Sequence, residues 1–196
     1  MAFREMARRL SWGQGACSVA KGEFKEEGVM AGRKDHPLVL AVLDTNEQSR
    51  QFMVALLEGL EMGEVVALAT PEACLEWLAA GHRPDVLLID MALVPMSGVA
   101  FTRYLRHVVG GRAAYLPVIL TGQRADRDAL AEARNAGVNE FIAKPISAAG
   151  LAARLHAVLE APRPMVRTGD YFGPDRRRRQ VSFSGGDRRG SGHEEV

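Results

Sequence analysis

The sequence predicts an α/β fold, a doubly wound five-stranded parallel sheet with helices on both faces. Two observations carry that expectation. Short runs rich in Val, Ile and Leu recur at 38–43, 86–89, 118–120 and 141–143 without polar alternation. Such runs read as strands buried on both faces, as in a parallel sheet. Between Leu38 and Glu160 strand and helix patterns also alternate five times, which calls for right-handed crossovers. A third feature points to function. The four runs close on Asp44, Asp90, Thr121 and Lys144, and in such sheets ligands bind at the carboxyl ends of the strands.

The helices follow in order. Phe52, Leu56 and Leu60, with Met53 and Leu57, form an apolar stripe at helical spacing after the first strand. Thr70-Pro71-Glu72 supplies an N-cap, a first-turn proline and a first-turn acid for the second helix; Cys74 lies in it beside Leu75 and Leu78, a core setting. Phe101, Leu105 and Val108 mark the third. The fourth runs from Asp126 to Ala136 and stops at Gly137. Ser147 caps the fifth, whose Leu151, Leu155, Val158 and Leu159 face inward.

Outside this block the composition changes. Residues 1–36 lack a sustained period and mix Gly, Lys and Glu, so a disordered extension is expected. Met30, just ahead of the first strand, is an alternative natural start. Residues 37–161 form the expected domain. In the tail at 162–196, eight arginines stand against five acids with few apolar residues, and disorder is expected, with Tyr171 to Asp175 as a short contact segment.

The net charge of +1 over 196 residues favours neither a nucleic-acid binder nor an acidic-surface binder. Two distant cysteines, Cys17 and Cys74, indicate no disulfide framework or metal knuckle. No apolar stretch approaches the roughly 20 residues a membrane span requires, and the N-terminus lacks a signal-peptide apolar region. A cytoplasmic setting and no membrane partner are expected. The five histidines show no ligand spacing, and Walker, nucleophile-elbow and dinucleotide motifs are missing.

Two carboxylates, a hydroxyl and an ammonium at one sheet edge suit a divalent cation plus a phosphoryl group. Asp90 can coordinate a metal or attack phosphorus, Thr121 can donate to a phosphoryl oxygen, and Lys144-Pro145 suits a cis peptide that aims the ammonium across the edge. Each residue alone has a duller reading as a cap or a solvated charge; the ordered set requires four coincidences.

The ordered set resembles the receiver domain of bacterial two-component response regulators, over about 38–160. Asp90 takes the phospho-acceptor position with Gly98 at the family's spacing; Thr121 matches the switch hydroxyl, Lys144-Pro145 the Lys-Pro pair, and Ala136-Gly137 with Phe141 the Ala-Gly turn and switch aromatic. Arg50 also fits, and the tail from Val166 to Arg178 looks like the end of a group of stand-alone receivers. The resemblance implies a flavodoxin-like (βα)5 fold with strand order 2-1-3-4-5. It implies Mg²⁺ at Asp44, Asp90 and the Ala92 carbonyl, with Thr121 and Phe141 as switch residues. It further implies a phosphoryl group taken from a histidine kinase or phosphotransfer protein.

Departures accompany it. Counting back from Arg50 puts Thr45 where receivers carry a second acid, which weakens the cation site. Val94 and Ser97 replace the usual proline and acid. Spacing from Pro117 to Lys144 fits without gaps if Gly122 takes the switch position; a one-residue loop shift restores Thr121 and is preferred.

The expected function is a non-enzymatic, single-domain receiver phosphorylated on Asp90 that signals to an unidentified downstream protein through its fourth and fifth helices and Phe141, with homodimerisation left open. The alternative is a degenerate receiver that binds partners without phosphorylation. The polar tail is too short for a helix-turn-helix domain of roughly 60 residues. Nucleic-acid binding through Arg176 to Arg179 ranks below docking to an acidic partner, with Tyr171 and Phe172 as anchors.

Overall fold

The computed structural model describes residues 37–123, 126–169 and 171–177. The expected extension at 1–36, with Met30, and the tail beyond residue 177 lie outside the described residues. Strands β1 (Leu38–Leu43), β2 (Gly63–Leu68), β3 (Val86–Asp90), β4 (Val118–Gly122) and β5 (Glu140–Ala143) alternate with helices α1 (Glu47–Glu58), α2 (Pro71–Ala79), α3 (Gly98–Tyr104), α4 (Arg127–Asn135) and α5 (Ala148–Leu159). The strands form one parallel sheet in the order β2-β1-β3-β4-β5. The expected flavodoxin-like architecture is thus observed.

Period-two alternation divides the strand residues between two cores. Leu40, Val42, Val86, Leu88, Ile119 and Ile142 face α1 and α5. Ala41, Leu43, Leu87, Ile89, Val118 and Leu120 face α2, α3 and α4. All five residues of β3 and of β4 are buried, which accounts for their unbroken apolar sequence.

The N-caps expected at Thr70 and Ser147 form, and Asp126, expected as the first residue of its helix, caps it instead. Thr70 accepts from Ala73 N–H at 3.1 Å, Asp126 from Ala129 at 2.9 Å and Ser147 from Gly150 at 3.1 Å. Gly137, after α4, takes a φ of +85°, a left-handed value that suits glycine. Cys74 is buried as expected, and burial pushes its thiol up to about 12.

Two helices depart in part from their expected faces. In α1 and the turn after it the expected stripe holds at Met53 and Leu57, which are buried, and at Leu56 and Leu60, which pack half-buried beside them; Phe52 alone departs, at 55% exposed. After α3 the chain continues as π-helix over Leu105–Val109. Its i→i+5 bonding turns the expected core residue Val108 outward and carries Arg106 inward, where it is wholly buried. The Arg106 guanidinium donates to the carbonyls of Ala114 (2.8 Å), Leu116 (2.8 Å) and Gly137 (3.0 and 3.1 Å), and to Asn139 Oδ1 (3.2 Å). It thereby ties the entries of β4 and β5 to the end of α4. Desolvation lowers its pKa to about 10.

The C-terminal expectation needs correction. Strands β6 (Met165–Thr168) and β7 (Tyr171–Pro174) pair antiparallel in a hairpin. Tyr171 and Phe172 are buried; Tyr171 donates to the Pro174 carbonyl at 2.6 Å, and Phe172 meets Tyr115 edge-on at 5.0 Å. Arg163 donates to the carbonyls of Asn139 and Asp175. The segment holds few apolar residues, but two are large aromatics, and Gly137 leaves room for the chain above them: a Cβ there would overlap the Phe172 carbonyl oxygen. Tyr171 and Phe172 therefore pack on their own domain and are not available as partner anchors. Among the described residues, no helix is long and apolar enough to cross a membrane.

Candidate functional site

The parity that sorts the core also assembles the site. Asp44 continues the series Leu40, Val42; Asp90 continues Val86, Leu88; Thr121 follows Ile119, and Lys144 follows Ile142. All four fall on the α1/α5 face at the carboxyl ends of their strands. Asp90 is paired with Thr121 in the β3–β4 register. The structure brings the four together as the sequence predicts.

Asp90 is 7% and Asp44 5% exposed. Asp90 Oδ1 accepts from Ala92 N–H at 2.7 Å, and Asp44 Oδ1 from Asn46 N–H at 2.8 Å. Lys144 Nζ pairs with Asp90 Oδ2, lies 3.7 Å from Asp44 Oδ2 and donates to Ser49 Oγ at 2.8 Å. Thr121 Oγ1 stands 3.4 Å from Asp90 Oδ2. Arg50 Nη1 donates to the Asp44 carbonyl at 2.8 Å, fixing α1 on the end of β1. The Lys144-Pro145 peptide is cis, as expected, and Val94-Pro95 is cis as well.

Gly98 shapes the acceptor loop. Its N–H returns to the Met91 carbonyl at 3.0 Å, and a Cβ there would overlap the Asp90 carbonyl oxygen and lie 2.9 Å from Leu120 Cδ1. The close return of chain onto the end of β3 requires glycine. Ser97, in place of an acid, caps α3 by accepting from Ala100 N–H at 3.2 Å.

Above these residues lies an open cleft of about 880 Å³, lined by Thr45, Asn46, Gln48, Ala92 and Gln123 in addition to the charged trio, with the exposed Phe52 and Val94 beside it. Asp44 and Asp90 are convergent hard oxygen donors next to a carbonyl-bearing loop at Ala92. That set fits Mg²⁺, which is held by one or two carboxylates together with waters and phosphate oxygens. Thr45 adds no carboxylate, and no group of three or more His, Cys, Asp or Glu residues suited to a metal occurs among the described residues.

Phe141 does not join the set. It is paired with Leu120, whereas Thr121 is paired with Ile142, so Phe141 and Thr121 lie on opposite faces of the sheet. Phe141 packs with the α2/α3/α4 core, and a Cβ on Gly122 would be 3.4 Å from its Cζ and 3.1 Å from Met91 Sδ. The two residues expected as switch residues thus face opposite sides of the sheet. Strand parity, already visible in the sequence, places Phe141 out of phase with Lys144 three residues on. Ser49 was not anticipated as a site residue. Its signal was positional, since it lies in the first turn of a helix that starts at the edge of β1.

Comparison with known proteins agrees with this fold. The family model for the response regulator receiver domain matches residues 40–156. The KDP operon transcriptional regulatory protein KdpE of Escherichia coli is 29% identical over 135 residues, covering 66% of this chain and 57% of its own length. The chain thus spans little more than half of that regulator. Chemotaxis protein CheY of Pseudomonas aeruginosa is 27% identical over 121 residues, covering 62% of this chain and 95% of CheY. Among solved structures, the receiver domain of sensor histidine kinase PA1611 of Pseudomonas aeruginosa, which has a magnesium ion coordinated in its active-site cleft, superposes with a TM-score of 0.56 at 22% identity, covering 63% of this chain and 98% of that domain. The chain belongs to the response regulator receiver domain family.

Proposed function

We propose that this receiver accepts one phosphoryl group on Asp90 from a phosphohistidine of a histidine kinase or phosphotransfer protein, and signals by protein–protein contact. The observation that carries the reading is the Asp90 carboxylate itself. It ends a buried strand, opens into the cleft, and is gripped by Ala92 N–H on one oxygen and by Lys144 on the other. In the reaction an Asp90 oxygen attacks phosphorus, the donor's N–P bond breaks, an acyl phosphate forms, and the departing imidazole takes up a proton. Such transfers depend on positioning and on charge neutralisation. Lys144 supplies a fixed positive charge and Thr121 a hydroxyl beside the acceptor oxygen. Asp44, Asp90 and the Ala92 carbonyl would hold Mg²⁺, which when bound neutralises phosphoryl charge; with Thr45 beside Asp44 the ion is held weakly. Output runs through α4 and α5.

The acyl phosphate can be located chemically. After incubation with acetyl phosphate and Mg²⁺, borohydride reduction should convert residue 90, and no other aspartate, to homoserine. Conversion at another residue would refute the acceptor assignment.

A second reading, a partner-binding receiver independent of phosphorylation, has its own observation. The site holds two carboxylates, and Lys144 already reaches both. A wild-type protein that stays unmodified at high Mg²⁺ while binding its partner would favour it.

A further inference from the structure

The Lys144 ammonium has three N–H bonds to place. One goes to Asp90 Oδ2, and Asp44 Oδ2 lies at the longer distance of 3.7 Å. The remaining short contact is Ser49 Oγ, at 2.8 Å across 95 positions of sequence. Ser49 is itself held, because its backbone N–H donates to the capping Asn46 Oδ1 at 2.9 Å and it lies in the first turn of α1. The helix is in turn anchored by Arg50 on the Asp44 carbonyl. The hydroxyl is thus a fixed acceptor on rigid backbone, whereas both carboxylates are the groups whose charge and partners change when a phosphoryl group arrives.

We propose that Ser49 is a positioning residue for Lys144: its hydroxyl is the pivot about which the ammonium turns from Asp90 Oδ2 toward a phosphoryl oxygen. The proposal rests on the acceptor reading of Asp90 for its kinetic consequence, though not for the contact itself. When an Asp90 oxygen becomes the ester oxygen of the acyl phosphate it loses its negative charge and its hold on the ammonium. Without Ser49 the four-carbon lysine stem is free to swing into solvent, and orienting it again falls on the transition state. With Ser49 the ammonium stays over the reacting group. A neutral acceptor suits this task, since a third carboxylate would compete with the phosphoryl oxygens for the same cation.

The test uses the whole chain, with acetyl phosphate as donor. Ser49→Ala should lower the phosphorylation rate at saturating donor by about tenfold, the worth of one hydrogen bond to a charged group, with little change in the half-saturating donor concentration. Ser49→Thr, which keeps the hydroxyl, should restore most of the rate. Alanine is the better helix former, which offsets part of the lost hydrogen bond, so the variant should stay folded with at most a small fall in melting temperature. In parallel, NMR of the unmodified protein should show a shifted Lys144 side-chain signal and faster ammonium proton exchange in Ser49→Ala, but not in Ser49→Thr. An unlabelled wild type would refute the Asp90 reading and leave Ser49 to be judged by the NMR arm alone. An Ala variant with wild-type rate and an unchanged Lys144 signal, or a Thr variant as impaired as the Ala variant, would overturn the pivot.

Discussion

At the residue scale the site depends on atoms that have no slack. Gly98 brings the chain back onto the end of β3, and a Cβ would meet the Asp90 carbonyl and Leu120. Backbone does not yield as a flexible side chain does, so Gly98→Ala should destabilise the domain by about 1–3 kcal/mol, typical of an overpacked core position. Chemical denaturation should show it as a lower midpoint. An unchanged midpoint would mean that the loop after Asp90 is not held as described. Thr45 presents the opposite case, a missing group. Thr45→Asp adds a carboxylate beside Asp44 and should tighten Mg²⁺, measured by calorimetry; unchanged affinity would show that residue 45 does not face the cation. Cys74 adds a pH test. Its thiol is raised to about 12 when folded, above an ordinary value of 9.0, so the folded state retains a proton that the unfolded state loses. Stability from this group is therefore complete below about pH 9 and is lost as pH climbs through that window toward 12. A Cys74→Ala variant should lose less stability between pH 9 and 10.5 than the wild type does, by urea denaturation at each pH.

At the scale of elements, most of the architecture was legible because the physics is local. Unbroken apolar runs marked β1, β3, β4 and β5, and the caps Thr70 and Ser147 marked where two of the helices begin. The site was legible for the same reason: a polar residue closing an apolar strand has few places to point, and parity puts Asp44, Asp90, Thr121 and Lys144 on one face. What escaped the sequence depends on long-range packing. Nothing in the string 105–109 announces π-helical bonding; its effect appears in Arg106 turned inward and Val108 turned outward. The hairpin escaped because average composition dilutes two buried aromatics among arginines. Its role is testable. A chain ending after Ala161 loses the cover over Gly137 and the burial of Tyr171 and Phe172, each fully buried aromatic of this kind being worth about 1.5–3 kcal/mol. The truncated chain should melt several degrees lower than the full chain. An equal melting temperature would mean that the hairpin is dispensable to the fold.

At the scale of the whole molecule, the two ends of the parallel sheet do different things. The carboxyl ends of the strands gather charge into the cleft, while the amino ends of β4 and β5 are bound together by Arg106 and capped by the hairpin. On this arrangement the exposed Arg167, Arg176 and Arg177 emerge at the end of the molecule remote from Asp90, with Arg167 lying over Phe172 and Arg176 over Tyr171. Phosphoryl acceptance on Asp90 belongs to the other end. Intact mass after incubation with acetyl phosphate and Mg²⁺ tests it most directly: the wild type should gain one phosphoryl group and Asp90→Asn none, whereas a modified Asp90→Asn protein, or an unmodified wild type at saturating Mg²⁺, would contradict it.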